Sequence, residues 1–168
     1  MDHRSPHVAD PPDNPVARGA YIAGPLAHCM DCHTPVLTAL QRDWTRIGAG
    51  GVPFEGPWGF VTAPNITPDR DHGGIGDWTD DQILGAIRQA VASDGRRLLP
   101  PMAARAAVYS HITDQDLRDL IAYLRSLPAQ VNAATSISAR VFAIGRMLLS
   151  SRSMHQHRNL GIWSSVGR

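Results

Sequence analysis

Cys29-Met30-Asp31-Cys32-His33 is the stretch of this 168-residue chain in which residue types and spacing together name a chemistry. Two thiols three positions apart stand one helical turn from each other, and an imidazole follows at once. That spacing lets Cys29 and Cys32 reach two vinyl groups on one edge of a porphyrin while His33 lies under the iron. The pattern is the attachment signature of covalently bound haem, haem c, with His33 as the proximal ligand. A redox-active dithiol and half of a zinc site also use closely spaced cysteines. The dithiol belongs after a strand in a β-α-β pattern, which the sequence lacks, and two cysteines cannot complete a four-cysteine zinc site or a disulfide framework.

Iron held by one imidazole needs a second axial ligand from the opposite side. Of Met1, Met30, Met102, Met147 and Met154, Met30 sits inside the attachment turn and cannot reach round the ring. Met102 follows Pro100-Pro101, read here as an extended, stiff loop across a haem edge, and is the expected distal ligand. The competing role is an ordinary core methionine. Thioether plus imidazole favours ferrous iron, and two filled axial positions leave substrate or oxygen no easy access. Such a site suits a one-electron carrier. A haem enzyme or gas sensor in which the methionine dissociates is the alternative. Trp78 and Asn65 are candidate haem-edge contacts. Trp78 serves equally as a large core residue, and Asn65-Ile66-Thr67, although it matches a glycosylation sequon, lies between Pro64 and Pro68 and reads as a structured turn. His28, His72 and His111 read as surface or satisfied residues.

These groups need helices to hold them. Asn14 followed by Pro15 predicts a helix start, with Gly19 leaving bare surface for a second helix and Gly24-Pro25 kinking or ending the first. Thr79-Asp80-Asp81-Gln82 is a capping box before an apolar face of Ile83, Leu84, Ile87 and Val91. Thr113-Asp114-Gln115-Asp116 opens another helix, with a stripe of Leu117, Leu120, Ile121, Leu124 and Leu127 stopped by Pro128. A fourth helix is expected over 138–150. Residues 34–78, rich in glycine and proline, read as loop without a clear strand, and so long a loop needs a cofactor as its core.

All 15 acidic residues and 11 of the 16 arginines precede residue 131, while five arginines and no acid follow it. The sequence therefore divides into a flexible arm (1–15), an acidic haem domain (16–130) and a basic extension (131–168). Val141, Phe142, Ile144, Leu148 and Leu149 alternate with Arg140 and Arg146 there, as in a helix docking on a partner or a membrane surface. No nucleic-acid partner is implied. No run reaches the roughly 18 apolar residues of a spanning helix. Because covalent haem attachment in bacteria happens outside the cytoplasm, an export signal is expected to have been removed or omitted before Met1.

In order along the chain stand Arg18-Gly19-Ala20-Tyr21, Cys29-Met30-Asp31-Cys32-His33-Thr34, Asn65-Ile66-Thr67-Pro68-Asp69, Gly74-Ile75-Gly76-Asp77-Trp78-Thr79, Asp94-Gly95 to Pro101-Met102, and Ala122-Tyr123-Leu124-Arg125-Ser126-Leu127-Pro128. Over residues 16–130 this set resembles the mono-haem cytochrome c domains of bacterial membrane-associated dehydrogenase complexes, such as the cytochrome subunits of alcohol, gluconate and aldehyde dehydrogenases. The resemblance implies an all-α, class I cytochrome c fold: three to four core helices and long loops around one covalent haem, here with a C-terminal helical extension. It implies that the first and last core helices cross, placing Gly19 and Tyr21 against Tyr123 and Leu124, and that Met102 is the axial ligand. It further implies a periplasmic role, without catalysis of its own, passing electrons from a dehydrogenase catalytic subunit towards quinone or a terminal oxidase. Relatives often carry proline directly after that methionine, whereas Ala103-Ala104 follow here. The segment after 130 matches no motif of the set.

Overall fold

The Asn14 side chain accepts hydrogen bonds from the backbone N–H groups of Val16 and Ala17 and opens helix α1, Pro15–Tyr21, as its position predicts. The structure, a computed structural model, describes residues 13–38 and 41–131. Gly24-Pro25 does not break the first helix outright. It widens into one π-helical turn, Ile22–Leu26, that contains Pro25. His28 then takes a left-handed conformation, and α2, Cys29–His33, carries the attachment motif.

Helix α3, Asp80–Gln89, has both bonds of the predicted box: Gln82 N–H to Thr79 Oγ1 at 3.2 Å and Thr79 N–H to Gln82 Oε1 at 2.8 Å. It stops earlier than its apolar pattern, because Ala90 turns left-handed and Val91 leaves the helix to pair with Arg97. Helix α4, Met102–Tyr109, was not expected. Pro101 takes helical rather than extended dihedrals, and the alanine-rich run behind it, Ala103-Ala104 included, continues as helix. Helix α5, Asp114–Ser126, buries Leu117, Leu120, Ile121 and Leu124, with Leu127 just beyond its end.

Residues 34–78 are less irregular than their composition suggests. They hold two antiparallel hairpins: β1 (Val36–Thr38) with β2 (Gln41–Arg42), and β3 (Pro53–Gly56) with β4 (Gly59–Thr62). The core itself is helical. The expected fourth helix at 138–150 lies outside the described residues.

Helix α1 and its π-helical turn pack against α5. Gly19 is the point of closest approach, since a methyl there would overlap the Asp119 carbonyl and come within 2.7 Å of Tyr123 Cβ. Ile22 and Ala23 are buried beside it in one core with Leu120, Ile121 and Leu124, whereas Tyr21, expected on this seam, is exposed. One end of the crossing is tied by Arg18, whose Nη2 and Nε reach Asp116 Oδ1 at 2.8 and 3.1 Å and whose Nε lies 3.3 Å from Asp119 Oδ2. Asp116 is short for a full capping box and takes this arginine instead, while its backbone N–H is still capped by Thr113 Oγ1.

The Thr113 hydroxyl, and then Arg18, hold the Asp116 carboxyl below the usual carboxylate range. A folded-state pKa below the unfolded value of about 3.9 contributes stability above that pH and loses it as pH falls through the lowered value. Arg18→Ala should therefore cost about 1 kcal/mol at neutral pH, modest because both side chains are partly solvated, with the gap to wild type closing in acid. Urea unfolding at pH 7 and near pH 3 measures both.

Candidate haem site

The proximal wall is built from two strips of backbone, 48–52 and 63–66. They are joined by hydrogen bonds from Ile66 N to Gly48 O, Gly51 N to Ala63 O, and Ala63 N to Val52 O. Helix α2 hangs on this wall at three points. Gly50 N–H donates to His33 O at 2.7 Å, Gly48 N–H donates to the buried Thr34 Oγ1 at 3.3 Å, and His33 Nδ1 lies 2.8 Å from Pro64 O. A proline carbonyl only accepts, so His33 Nδ1 must carry the proton. That fixes the tautomer and leaves the Nε2 lone pair free to coordinate. Burial lowers the His33 pKa, with the Pro64 bond opposing it, which favours the neutral imidazole that metal ligation requires.

Neither cysteine is in a disulfide. Burial pushes the Cys29 thiol up to about 12, and burial also raises Cys32 against the opposing charges of Arg105 and Arg42. A dithiol nucleophile needs the thiolate near neutral pH, the reverse of these shifts. Among the described residues, no three His, Cys, Asp or Glu side chains come together to hold a metal ion. Thiols without thiolate character, one turn apart beside an imidazole with its Nε2 free, fit thioether attachment to haem.

Met102 stands at the N-terminus of α4 and packs, half-buried, against the same core as Cys29, Trp78 and Tyr123. Trp78 is held just before α3 by Arg125 of α5, whose Nη2 donates to Trp78 O at 2.7 Å while its guanidinium also grips Asp80 Oδ1. Asn65 is buried and spends its amide on the fold. Oδ1 accepts from Thr67 N–H and Thr67 Oγ1, and Nδ2 donates to Gln130 O. This is the structured turn expected at the sequon. Of the remaining histidines among the described residues, His28 pairs with Asp31 and His72 with Asp69, while His111 is exposed beside a surface cleft that Ala27 and Tyr109 also line. Met147 lies outside the described residues.

A family model described as cytochrome c matches residues 16–128, from the first turn of α1 to just past α5. The chain belongs to the cytochrome c family. Covalently bound haem c is the cofactor of that family, and the attachment turn and its proximal wall fall within the matched span. The chain is 33% identical to the fructose dehydrogenase cytochrome subunit of Gluconobacter japonicus, over 91% of its own length and 27% of that protein. It is 32% identical to the cytochrome c subunit of the quinone-dependent alcohol dehydrogenase of Gluconobacter oxydans, over 70% of this chain and 22% of that one. It is 34% identical to the gluconate 2-dehydrogenase cytochrome c subunit of Pantoea cypripedii, over 73% and 25%. The chain thus spans about a quarter of the length of these relatives. The first match covers 153 of the 168 residues, more than residues 1–130 can supply, so it takes in part of the basic segment that carried no recognised motif.

Sequence reasoning found the attachment motif and the capped helices. It did not find Pro64, which acts through its backbone carbonyl and has no side-chain signature, nor Gly50 and Thr34, whose bonds tie α2 to the 48–52 strip.

Proposed function

We propose that residues 16–130 form a one-haem electron-transfer domain in which Cys29 and Cys32 hold the porphyrin as thioethers and His33 and Met102 are the axial ligands. When bound, the haem supplies one reversible electron step, and the chain's own residues fix its surroundings. Pro64 and Gly50 aim and hold the imidazole, Trp78 closes one edge, and α4 brings the thioether from the far side. The observation that carries this reading is the His33 Nδ1 to Pro64 O contact, which orients a neutral imidazole beside two unpaired thiols. The crossing of α1 on α5 supports the class I arrangement.

Similarity to cytochrome subunits of fructose, alcohol and gluconate dehydrogenases supports a dehydrogenase catalytic subunit as electron donor, with a quinone or terminal oxidase downstream. It also supports a periplasmic location at the outer face of the inner membrane. No helix among the described residues is long and apolar enough to cross a membrane. The basic extension, 131–168, is the proposed docking segment, acting through residues 138–150.

Pyridine haemochrome analysis should give one covalent haem per chain. Ferric wild type should show the weak near-infrared band of a methionine–iron bond, and Met102→Ala should lose it while keeping the covalent haem. Rapid carbon monoxide binding by unmodified ferrous protein would point instead to an open iron, as in an enzyme or sensor.

A further inference from the structure

We propose that Tyr109 is the positioning residue that keeps Met102 on the haem iron, by stapling the distal helix α4 to the chain that runs into the attachment turn. The proposal rests on the reading of Met102 as axial ligand.

The Tyr109 hydroxyl donates to the backbone carbonyl of Ala27, a buried contact between residues 82 positions apart. That carbonyl would otherwise be orphaned. Ala27 ends the π-helical turn, and left-handed His28 diverts the chain before any later N–H can come back to it. Two residues on is Cys29, so the staple grips the segment that holds the porphyrin edge. Met102 is the first residue of α4 and Tyr109 the last, roughly 10 Å apart at 1.5 Å per residue. A short helix moves as a rigid rod, so fixing its C-terminus to the attachment segment limits the swing of its N-terminus. Burial raises the Tyr109 hydroxyl to about 12, so it remains a donor throughout the physiological range.

The staple also accounts for the unusual local geometry. An α-helix running uninterrupted into Cys29 would use the Ala27 carbonyl internally. The π-helical turn and the left-handed His28 free it for a donor that comes from the distal side.

The test is imidazole binding to ferric holoprotein, full chain, followed by loss of the methionine–iron band. Imidazole binds only when Met102 is off, so its apparent affinity scales with the population of the open form. Tyr109→Phe keeps the ring and removes the donor, and should raise apparent imidazole affinity about tenfold with covalent haem unchanged. Arg18→Ala weakens the fold at the α1–α5 crossing and should leave the affinity within about twofold. If Tyr109→Phe leaves the affinity unchanged, or Arg18→Ala raises it equally, the positioning role is overturned while Met102 ligation stands. If wild type itself lacks the methionine–iron band, Met102 ligation fails and the proposal falls with it.

Discussion

Gly19→Val should prevent α1 from seating on α5 and leave most of the chain unable to reach a cooperative, haem-bearing fold. The atoms that a Cβ would strike are the Asp119 carbonyl and Tyr123 Cβ, backbone or next to it on a packed helix, and neither can swing aside. Relief requires the helices to separate, which opens the buried contacts among Ile22, Ala23, Leu120, Ile121 and Leu124. Overpacking alone costs about 1–3 kcal/mol, and each large side chain returned to water loses about 1.5–3 kcal/mol more. A domain stabilised by about 5–15 kcal/mol does not absorb several such losses at once.

Gly19→Ala sharpens the test, because alanine is favoured over glycine in a helix by about 1 kcal/mol. Overlap should still win, with a net loss of about 2 kcal/mol. Gly24→Ala, a few residues on with nothing within 4 Å of the added methyl, should be neutral or slightly stabilising. Urea midpoints and covalent haem content for the three variants decide it. Equal effects at 19 and 24 would mean that the approach of α1 to α5 is not what glycine secures.

The parts of this fold that were legible in the sequence are those governed by side chains acting over short range. Asn14, Thr79 and Thr113 cap where their spacing says, and the stripe from Leu117 to Leu127 is buried as its period requires. The illegible parts arise from backbone acting over long range. α3 ends at an alanine in a left-handed conformation, which no glycine announced. Pro100-Pro101 reads as extended because proline disfavours helix for the residue before it, yet the pair leads directly into α4. Tyr21 was placed on the helix seam beside Gly19, but Ile22 and Ala23 take that face and leave Tyr21 exposed. At the site, the thiols and imidazole were plain, while their support comes from the carbonyls of Pro64 and Ala27. A carbonyl is the same in every residue, so only the folded chain reveals which ones matter.

The same reasoning makes Gly50 the most sensitive position of the proximal wall. Its φ of +75° lies in the region that costs a residue with a side chain about 1–2 kcal/mol. A Cβ there would also sit 2.5 Å from Pro64 C and 2.6 Å from Pro64 O, against the very carbonyl that orients His33. Gly95 has a similar φ, +81°, but nothing within 4 Å, so Gly95→Ala reports the conformational cost alone. Gly95→Ala should lose about 1–2 kcal/mol and keep full covalent haem. Gly50→Ala should lose about 3 kcal/mol or more, the excess reflecting overlap with the Pro64 peptide. It should also yield protein with less covalent haem, because a displaced Pro64 carbonyl no longer holds the imidazole in place while the thioethers form. Urea unfolding of the purified holoproteins and haem-to-protein ratios after expression measure the two effects separately. Equal losses at 50 and 95 would show that the wall yields to a methyl group, and that His33 keeps its orientation without the close packing of Gly50 on Pro64.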